Sequence, residues 1–322
     1  MEKTVLVTGA GGFIGLNVVK EYAKYGWKVF ALVHRNIPNE LGELENVEIV
    51  HGDVTNADFM SQFRGNVDVV AHVAGLAKDI GSDEKFRKLN FEPIKYLSII
   101  PREKIVYVSS SDVYGIKDHG VNGKGADENT PLIEYPKNPY PRYKIMSENW
   151  LRENCPIKYV IIRPAAVWGE GDKTLESRVI EFLRTSPYIV HFGKWRGKCR
   201  WPLANVKNVA KTIVSVSTFD KYDNQAITII DPEKTTIDEY YRGIASKYFP
   251  EKQFKNLYLP LWIGKFIGFI STTVSNMLNL NDPIFDPTFY AVHHVSSNLD
   301  FSSDRMLDSI EMLEKETEMI CK

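Results

Sequence analysis

A short run of β-branched residues near the start of the chain ends in closely spaced glycines, and a helical pattern follows. Residues 5–15 read Val-Leu-Val-Thr-Gly-Ala-Gly-Gly-Phe-Ile-Gly. In such a strand, turn and helix, Gly9 permits a sharp exit, Gly12 lets the backbone approach a pyrophosphate, and Gly15 lets the helix pack closely on the strand. The helix N-terminus then presents free N–H groups to the anion. The segment predicts a dinucleotide-binding turn.

The glycine spacing is a variant of the common dinucleotide pattern. Glycines occur at positions 9, 12 and 15, and Ile14 stands where a strict G-x-G-x-x-G pattern has its last glycine. This spacing favours a different branch of the Rossmann proteins. Glycine clusters also form helix caps and plain turns, so the rest of the chain has to decide between these interpretations.

Apolar, β-branched runs alternate with helical stretches along the first half of the chain. The runs are residues 5–7, 29–33, 47–50, 67–73, 105–108 and 159–162. Such alternation predicts an α/β fold with a doubly wound parallel Rossmann sheet. After Pro164 the alternation weakens, so we expect a Rossmann domain over residues 1–165, rejoined by part of 204–231. Residues 166–322 mainly form a smaller C-terminal substrate lobe in this prediction.

Parallel strands end at one edge of a sheet, where doubly wound proteins bind their ligands. The segments that follow the predicted strands should therefore gather at one crevice. These segments are Gly9, Asp53 and residues 72–75, 109–111 and 163–166.

The composition of the chain argues against several classes of binding partner. The formal charge is −1 and the pI is about 6.7, which gives no general attraction to nucleic acid or to an anionic membrane, although residues 194–200 are locally basic. The cysteines, Cys155, Cys199 and Cys321, are far apart, so the sequence predicts neither disulfides nor a metal site. We expect a cytoplasmic protein, since no export signal precedes the first strand.

The most apolar late stretch, residues 257–270, is interrupted by Pro260 and Lys265. It falls short of the roughly 20 residues that a membrane span needs. We therefore expect no membrane span and interpret this stretch as a pocket-lining helix.

Tyr140 and Lys144 are four residues apart and share one face of a predicted helix. Asn138 is a candidate N-cap, and Pro139 suits the first turn. A neighbouring ammonium favours the phenolate, so Lys144 is expected to lower the pKa of Tyr140. Tyr143 has Ser147 at the corresponding position, so it is assigned no proton-transfer role. A plain alternative is an exposed aromatic residue beside a solvated base.

Several segments together resemble the extended short-chain dehydrogenase/reductase superfamily across nearly the whole chain. They occur in the family's order and approximate spacing. The apolar residues 260–270 are in addition similar in placement to the corresponding region of 3β-hydroxysteroid dehydrogenases and dihydroflavonol reductases. The segments are residues 8–15, His51-Gly-Asp-Val54, Ser109-Ser-Ser-Asp-Val-Tyr-Gly115, Tyr140-x-x-x-Lys144 and Arg163-Pro164.

The resemblance implies an NAD(P)-dependent Rossmann enzyme with a catalytic set of Ser110, Tyr140 and Lys144. In that set Tyr140 passes a proton to or from a substrate oxygen, Ser110 polarises the same oxygen, and Lys144 holds the nicotinamide ribose. Asp53 and Val54 resemble the pair that contacts adenine. The cofactor contacts predicted in this way are Gly9, Gly12, Phe13, Ile14, Gly15, His34, Arg35, Asp53, Val54, Ala74, Asn90, Tyr140 and Lys144.

The end of the second strand bears on the choice of cofactor. It reads Leu32-Val-His-Arg35 and carries no carboxylate to accept the ribose hydroxyls of NAD. A guanidinium is available there for a 2′-phosphate. We therefore expect NADP(H) to be favoured over NAD(H).

Three substrate classes of the superfamily compete. Sugar dehydratases carry Asp-Glu after the catalytic hydroxyl, whereas this chain has Ser111-Asp112, so dehydration ranks low. Nucleotide-sugar epimerases are the runner-up, because Arg200 and residues 205–209 resemble a diphosphate-contacting segment. Ala165, Ala166 and Trp168 make the expected pocket less polar than a sugar-nucleotide site.

The sequence therefore predicts a small-molecule oxidoreductase that acts on a secondary alcohol or ketone of a moderately apolar compound. The predicted substrate contacts are Ser111, Ala166, Trp168 and Arg200. A non-catalytic cofactor-binding regulator ranks lower, since the Ser-Tyr-Lys set is complete. A homodimer is also expected, with the helices of residues 86–100 and 140–153 paired about a two-fold axis.

Overall fold

The first strand of the chain lies in the interior of a seven-stranded parallel sheet. The computed structural model describes residues 3–120, 125–172 and 174–320, so Cys321 lies outside the described residues. The strands are β1 Thr4–Thr8, β2 Lys28–Val33, β3 Val47–His51, β4 Val69–His72, β5 Lys104–Val108, β6 Lys158–Pro164, β7 Ala166–Trp168, β8 Tyr188–Phe192, β9 Leu203–Asn205, β10 Gln225–Ile229 and β11 Lys255–Leu259.

Helices separate most of these strands. They are α1 Phe13–Lys24, α2 Ala57–Ser61, α3 Asp83–Asn90, α4 Glu92–Leu97, α5 Pro139–Asn154, α6 Leu175–Thr185, α7 Val206–Thr218, α8 Ile237–Tyr248, α9 Leu261–Met277, α10 Phe289–Ser296 and α11 Asp304–Ile320. Two short 3₁₀ helices cover Asn39–Glu43 and Ser111–Tyr114.

The order of the large sheet is β10-β6-β5-β4-β1-β2-β3. Because the order reverses between β1 and β4, their carboxyl ends open a crevice there. The prediction of an α/β fold with a doubly wound parallel sheet is confirmed. Strand β10 pairs with β6, so the chain returns to the sheet within residues 204–231. The boundaries of the two domains stay a prediction.

Both faces of the sheet are covered, which explains why its strands read as continuous apolar runs. On β1, Val5 and Val7 belong to a core formed with α1, α7 and α11. Leu6 points to the opposite core, which includes Ile94 of α4 and Leu151 of α5. Alternate residues of one strand thus serve two separate cores.

The smaller lobe contains two further parallel pairs, β8 with β11 and β7 with β9. Its apolar clusters lie between α6 and α8 and around Trp201. Helix α11, at the end of the chain, packs back on the large sheet, since Met306 and Leu313 belong to the core formed with α1 and α7.

Two predicted helices differ from the structure. Residues 86–100 do not form one helix, because α3 ends at Asn90 and α4 restarts with Pro93 in its first turn. Proline lacks the N–H that a continuous helix would need. The apolar stretch 257–270 contains strand β11 and then α9, and Pro260 stands at their junction as the N-cap of α9.

A buried ion pair joins α5 to the end of β6. Glu148 accepts hydrogen bonds from Nε and Nη2 of Arg163 at 3.0 and 2.6 Å, and both residues are almost fully buried. Glu148 also accepts from the hydroxyl of Ser109, just beyond β5, at 2.6 Å. The prediction that residues 163–166 all lie in the crevice is wrong for Arg163, because its charge is neutralised inside the protein.

Replacing Glu148 with alanine should strongly destabilise the fold. The substitution leaves the guanidinium of Arg163 buried without its partner, which typically costs about 3–5 kcal/mol. Urea unfolding measures the change in the free energy of unfolding. Glu153→Ala, an exposed site on the same helix, is the matched control and should change stability by about 0.5 kcal/mol or less. Similar losses in the two variants would contradict this account.

Candidate active site

The glycine turn between β1 and α1 is a backbone cradle with little room for side chains. Gly9 has a φ of +72°, and a Cβ added to it would lie 2.9 Å from the backbone of Ala74. A Cβ on Gly15 would lie 2.0 Å from the carbonyl oxygen of Gly9. Gly12 is the N-cap of α1, and its N–H donates to that same carbonyl at 2.9 Å. The roles predicted for Gly9 and Gly15 in the turn agree with this geometry.

A buried polar pair supports the turn from behind. The hydroxyl of Thr8 lies 2.8 Å from Nδ1 of His72, and the N–H of Ala74 donates to the same hydroxyl at 3.2 Å. Burial, with a smaller effect of the Lys144 charge, lowers the pKa of His72 to about 3. His72 is therefore neutral, and it fixes the loop after β4 against the end of β1.

The predicted adenosine end lies at the carboxyl ends of β2 and β3. His34 and Arg35 are exposed, and Nε2 of His34 lies 3.8 Å from a carboxylate oxygen of Asp53. Partial burial acts against ionisation of Asp53, but hydrogen bonds from Thr55 and the charges of His34 and Arg35 lower its pKa. Val54 is buried, and its carbonyl accepts from Tyr96.

Ser110 and Tyr140 meet at the end of β5. The hydroxyl of Ser110 lies near the phenol of Tyr140 and acts to lower its pKa, and it accepts from the N–H of Asp112 at 3.2 Å. Asn138 caps α5 by accepting from the N–H of Tyr140 at 2.8 Å, which confirms the predicted cap. Tyr143, one position before Lys144, instead donates to Asp83 at 2.5 Å.

Lys144 lies beneath the crevice. Its Nζ donates to the carbonyl of Val108 at 2.7 Å and lies 3.3 Å from the position of a Cβ on Gly75. Asn90 is next to it and holds the loop at Leu76 by two hydrogen bonds of 2.6 and 3.0 Å. The structure therefore brings Lys144, Asn90 and Gly75 together.

The electrostatics of this cluster differ from the sequence-based expectation. Burial lowers the pKa of Lys144 to about 7, with Glu148 opposing the shift. Burial and the negative charge of Asp112 raise the pKa of Tyr140, and the nearby hydroxyl of Ser110 only partly offsets them. The expectation that Lys144 lowers the pKa of Tyr140 is wrong in this structure, because desolvation and Asp112 dominate. Tyr140 is a protonated phenol at neutral pH.

Helix α10 adds two residues that the sequence analysis missed. Tyr290 donates to Asp112 at 2.6 Å, and Nε2 of His294 lies 3.5 Å from the same carboxylate oxygen. Burial opposes the charging of His294, but Asp112 outweighs it and raises the pKa of His294. The pair has the same four-residue spacing as Tyr140 and Lys144. The four-residue spacing can be recognised in the sequence. That α10 lies next to Asp112 can be seen only in the tertiary fold.

The predicted substrate contacts are less closely grouped. Ser111 is buried at the start of the 3₁₀ turn, and Ala166 packs against the aromatic cluster around Trp201. The indole of Trp168 donates to Asp231 at 2.6 Å. The guanidinium of Arg200, expected to face a diphosphate, donates to the backbone carbonyl of Lys234 at 2.8 Å.

The residues present fit a bound dinucleotide. The cradle that a Cβ at Gly9 or Gly15 would fill opens at the N-terminus of α1, where backbone N–H groups can face a pyrophosphate. Gly12, Phe13 and Ile14 begin that helix. Among the residues that the structure describes, no group of three or more His, Cys, Asp or Glu side chains could hold a metal ion.

Residues 5–229 match the sequence model of the NAD dependent epimerase/dehydratase family. The chain belongs to this family. Its membership confirms the predicted resemblance to the extended short-chain dehydrogenase/reductases and an enzyme of that type.

Curated relatives match over part of their length. A 3 beta-hydroxysteroid dehydrogenase/Delta 5→4-isomerase of Mycobacterium tuberculosis is 27% identical over 55% of this chain and 50% of the relative. A 2-alkyl-3-oxoalkanoate reductase of Stenotrophomonas maltophilia is 29% identical over 56% of each chain. The chain thus spans about half the length of these relatives.

A solved structure with the same fold is MoeE5 in complex with UDP-glucuronic acid and NAD. It superposes with a TM-score of 0.70 at 19% identity, over 96% of this chain and 92% of the other. At this identity the likeness shows the fold alone.

Removing the Asp112 charge should lower the pKa of His294. In Asp112→Asn the imidazolium of His294 loses its main electrostatic attraction. Burial and the positive charge of Arg178, which lower the pKa of His294, then outweigh the charge of Asp79, which raises it. NMR titration of the imidazole resonances measures this pKa. His191, whose pKa is lowered by burial against the opposing effect of Asp238, is the internal control and should titrate unchanged. An unaltered His294 titration would contradict the proposed contact.

Proposed function

We propose that this member of the NAD dependent epimerase/dehydratase family is an oxidoreductase that interconverts a secondary alcohol and a ketone. The observation that carries the proposal is the proximity of Ser110 to Tyr140, with Lys144 behind them and the glycine cradle at the same sheet edge. The nicotinamide, when bound, supplies or accepts the hydride.

Tyr140 is suited to give a proton to a carbonyl oxygen that is being reduced. Its raised pKa keeps the phenol protonated at neutral pH, and its half-buried position limits competition from water. Ser110 donates a second hydrogen bond to the same oxygen and stabilises the negative charge that develops on it. The reverse direction needs the phenolate of Tyr140 to accept the alcohol proton, so the raised pKa favours reduction at neutral pH and oxidation only at higher pH.

Lys144 has a positioning role in this proposal. Its Nζ lies beside Gly75 and Asn90, below the place where the nicotinamide ribose of a bound dinucleotide would lie. Since burial lowers its pKa to about 7, the ammonium is only partly charged at neutral pH until a hydroxyl group binds next to it.

The substrate is proposed to be a moderately apolar small molecule. Ala165 is buried, and Ala166 packs in a cluster with Trp195, Trp201 and Val295. The relatives named 3 beta-hydroxysteroid dehydrogenase and 2-alkyl-3-oxoalkanoate reductase act, by their names, on apolar oxo or hydroxy compounds. The hydrogen bond of Arg200 to the Lys234 carbonyl occupies one of the donors that a diphosphate would need.

Nucleotide-sugar epimerisation is the second candidate. The complex of MoeE5 with UDP-glucuronic acid shows that this overall fold accommodates such a ligand. An epimerase regenerates its cofactor in each turnover, whereas a dehydrogenase exchanges it. Net change in nicotinamide absorbance with steroid or 2-alkyl-3-oxo substrates supports the dehydrogenase, and conversion of UDP-sugars without such a change supports the epimerase.

Tyr140→Phe should reduce turnover by about a hundredfold to ten-thousandfold, because it removes the proton that the substrate oxygen needs. Cofactor affinity should change little, since only one hydroxyl is lost. Steady-state rates and fluorescence titration of the cofactor measure the two effects. Tyr143→Phe, which loses only the hydrogen bond to Asp83, is the matched control and should keep its turnover. Wild-type turnover in Tyr140→Phe would refute this mechanism.

The chain belongs to a family of NAD-dependent enzymes. We propose that it binds NADP(H) in preference to NAD(H). Arg35 is exposed at the end of β2, where its guanidinium can face a 2′-phosphate, and the nearby Asp53, whose pKa it lowers, offsets part of its charge. Cytoplasmic location and a homodimer that uses α3, α4 and α5 stay predictions.

Arg35→Asp should weaken NADP(H) binding by about tenfold or more, because attraction to the 2′-phosphate becomes repulsion. NAD(H) affinity should fall much less. Calorimetric titration of both cofactors provides the comparison, with Arg64→Asp at another exposed position as the charge-matched control. Tighter binding of NAD(H) than NADP(H) by the wild-type protein would remove this part of the proposal.

A further inference from the structure

Helix α9 has its large and small residues on unexpected faces. The side toward the protein carries Gly264, Gly268, Ser271 and Ser275, which are its buried residues. A Cβ on Gly264 would lie 2.6 Å from the ring of Phe192, and one on Gly268 would lie 2.7 Å from the backbone of Phe289. Small residues therefore make the internal contacts of this helix.

The bulky apolar residues of α9 point away from the protein. Trp262 is 69% exposed, Phe266 60% and Phe269 59%, and Met277 near the end of the helix is 77% exposed. The sequence-based interpretation of this stretch as a pocket lining is wrong for these side chains, because the glycines occupy the face that packs. A contiguous apolar surface of this kind marks an interaction site.

The apolar side continues past the end of the helix. Leu278 is 59% exposed and Ile284 51% exposed. The apolar patch is defined here as Trp262, Phe266, Phe269, Ile270, Met277, Leu278, Ile284 and Phe285.

The surroundings of the apolar patch are positively charged. The chain has no acidic residue between Glu251 and Asp282, whereas Lys252, Lys255 and Lys265 lie in that interval. Asp282 itself is paired with Lys78 at 2.7 Å. The patch therefore has cations and no unpaired carboxylate in its own segment.

The basic segment 194–200 adjoins the beginning of α9. Lys194 lines the same surface depression as Pro260 and Leu261. The guanidinium of Arg196 lies 4.3 Å from the ring centre of Tyr258, on β11. Lys194 is paired with Asp118, but in the part of the chain that the structure describes Arg196, Lys198, Lys255 and Lys265 form no ion pair with a carboxylate. Of these free cations, Lys265 lies on α9 itself, Lys255 lies on β11 directly before it, and Arg196 lies against Tyr258 of β11.

We propose that α9 docks this protein on the surface of a bilayer that contains anionic lipids. An interfacial helix combines an apolar face rich in Trp, Phe and Leu with Lys and Arg at its side. Here α9 supplies the aromatic face and Lys265, and the other cations belong to β11 and to segment 194–200. Helix α9 rises about 1.5 Å per residue along its axis. When that axis lies parallel to the bilayer surface, the exposed aromatic side chains lie at the depth of the headgroups. No helix in the described ranges is long and apolar enough to cross a membrane, so the contact is peripheral.

A second copy of the chain is the competing occupant of the apolar patch. The predicted homodimer uses α3, α4 and α5, which carry their own exposed apolar residues, Ile99 just after α4 and Met146 on α5. Two copies meeting through α9 would also bring Lys265 and the free cations of both copies together, with no acidic residue in this segment to compensate. The charge pattern therefore favours an anionic surface over self-association.

Docking through α9 would place the bilayer next to the candidate active site. Helix α10 packs against α9 through Phe289, and it carries the Tyr290 and His294 that contact Asp112. An apolar compound dissolved in the lipid would thus have a short path to this lobe. The docking inference itself rests on the surface of α9 and is independent of the reaction proposed above.

Co-sedimentation of the full chain with vesicles tests the inference. We expect binding to phosphatidylcholine vesicles that contain phosphatidylglycerol, weaker binding to phosphatidylcholine alone, and loss of binding as salt is raised. The double variant Trp262→Gln with Phe266→Gln should reduce the bound fraction at least tenfold, because the removed rings are the ones expected to enter the lipid. Lys265→Glu with Lys198→Glu should reduce binding to the anionic vesicles only.

A matched control separates the apolar patch from exposed aromatic residues in general. Tyr135 is 86% exposed and does not belong to the apolar patch, so Tyr135→Gln should leave vesicle binding unchanged. Thermal melting of each variant shows whether it is folded. Absence of binding to both vesicle types would overturn the proposal, and so would equal binding to neutral and anionic vesicles. Concentration-dependent dimerisation lost in the Trp262 and Phe266 variant, without vesicle binding, would assign the patch to a second copy instead.

Discussion

The buried ion pair between Glu148 and Arg163 holds together the elements that carry the candidate active site. Glu148 lies one turn after Lys144 on α5, Arg163 lies near the end of β6, and the carboxylate also accepts from Ser109 beside Ser110. One carboxylate therefore fixes the helix that supplies Tyr140 and Lys144 against the strand that leads to Ser110. Since two buried charges are costly unless they are well paired, any shift of α5 relative to the sheet is opposed by a large electrostatic penalty.

The same region contains charges that act on Tyr140 from two sides. Asp112 raises the pKa of Tyr140, while Lys144, expected to act in the opposite sense, is itself desolvated and bonded to the Val108 carbonyl. The imidazole of His294, on α10, partly neutralises the charge of Asp112. The proton affinity of the phenol thus depends, through Asp112, on a histidine of the smaller lobe as well as on groups near its own helix.

The sequence predicted the parts of the fold that are set locally. The strands around the glycine turn, the Asn138 cap and the pairing of Tyr140 with Lys144 on one helix face all follow from spacing and residue type. The helix break at Pro93 was not predicted, but it could have been, because a proline appears there inside an otherwise helical stretch. The contacts that Asp112 makes with Tyr290 and His294 could not be predicted from the sequence, since both residues are far from it in the chain. Hydrophobicity likewise indicated a helix at α9 but could not tell which of its faces is buried.

The division between the two halves of the chain has a chemical meaning. The family match ends at residue 229, and it includes Ser110, Tyr140, Lys144 and the glycine turn. Tyr290, His294 and the exposed aromatic face of α9 all lie beyond that residue. In the proposed function, residues 5–229 supply the groups that transfer a proton beside a dinucleotide, and the later residues supply the groups that contact Asp112 and the exposed apolar surface of α9. Differences in substrate among proteins with this fold should therefore arise mainly from the second half, because the proton-transfer groups alone do not distinguish one carbonyl compound from another.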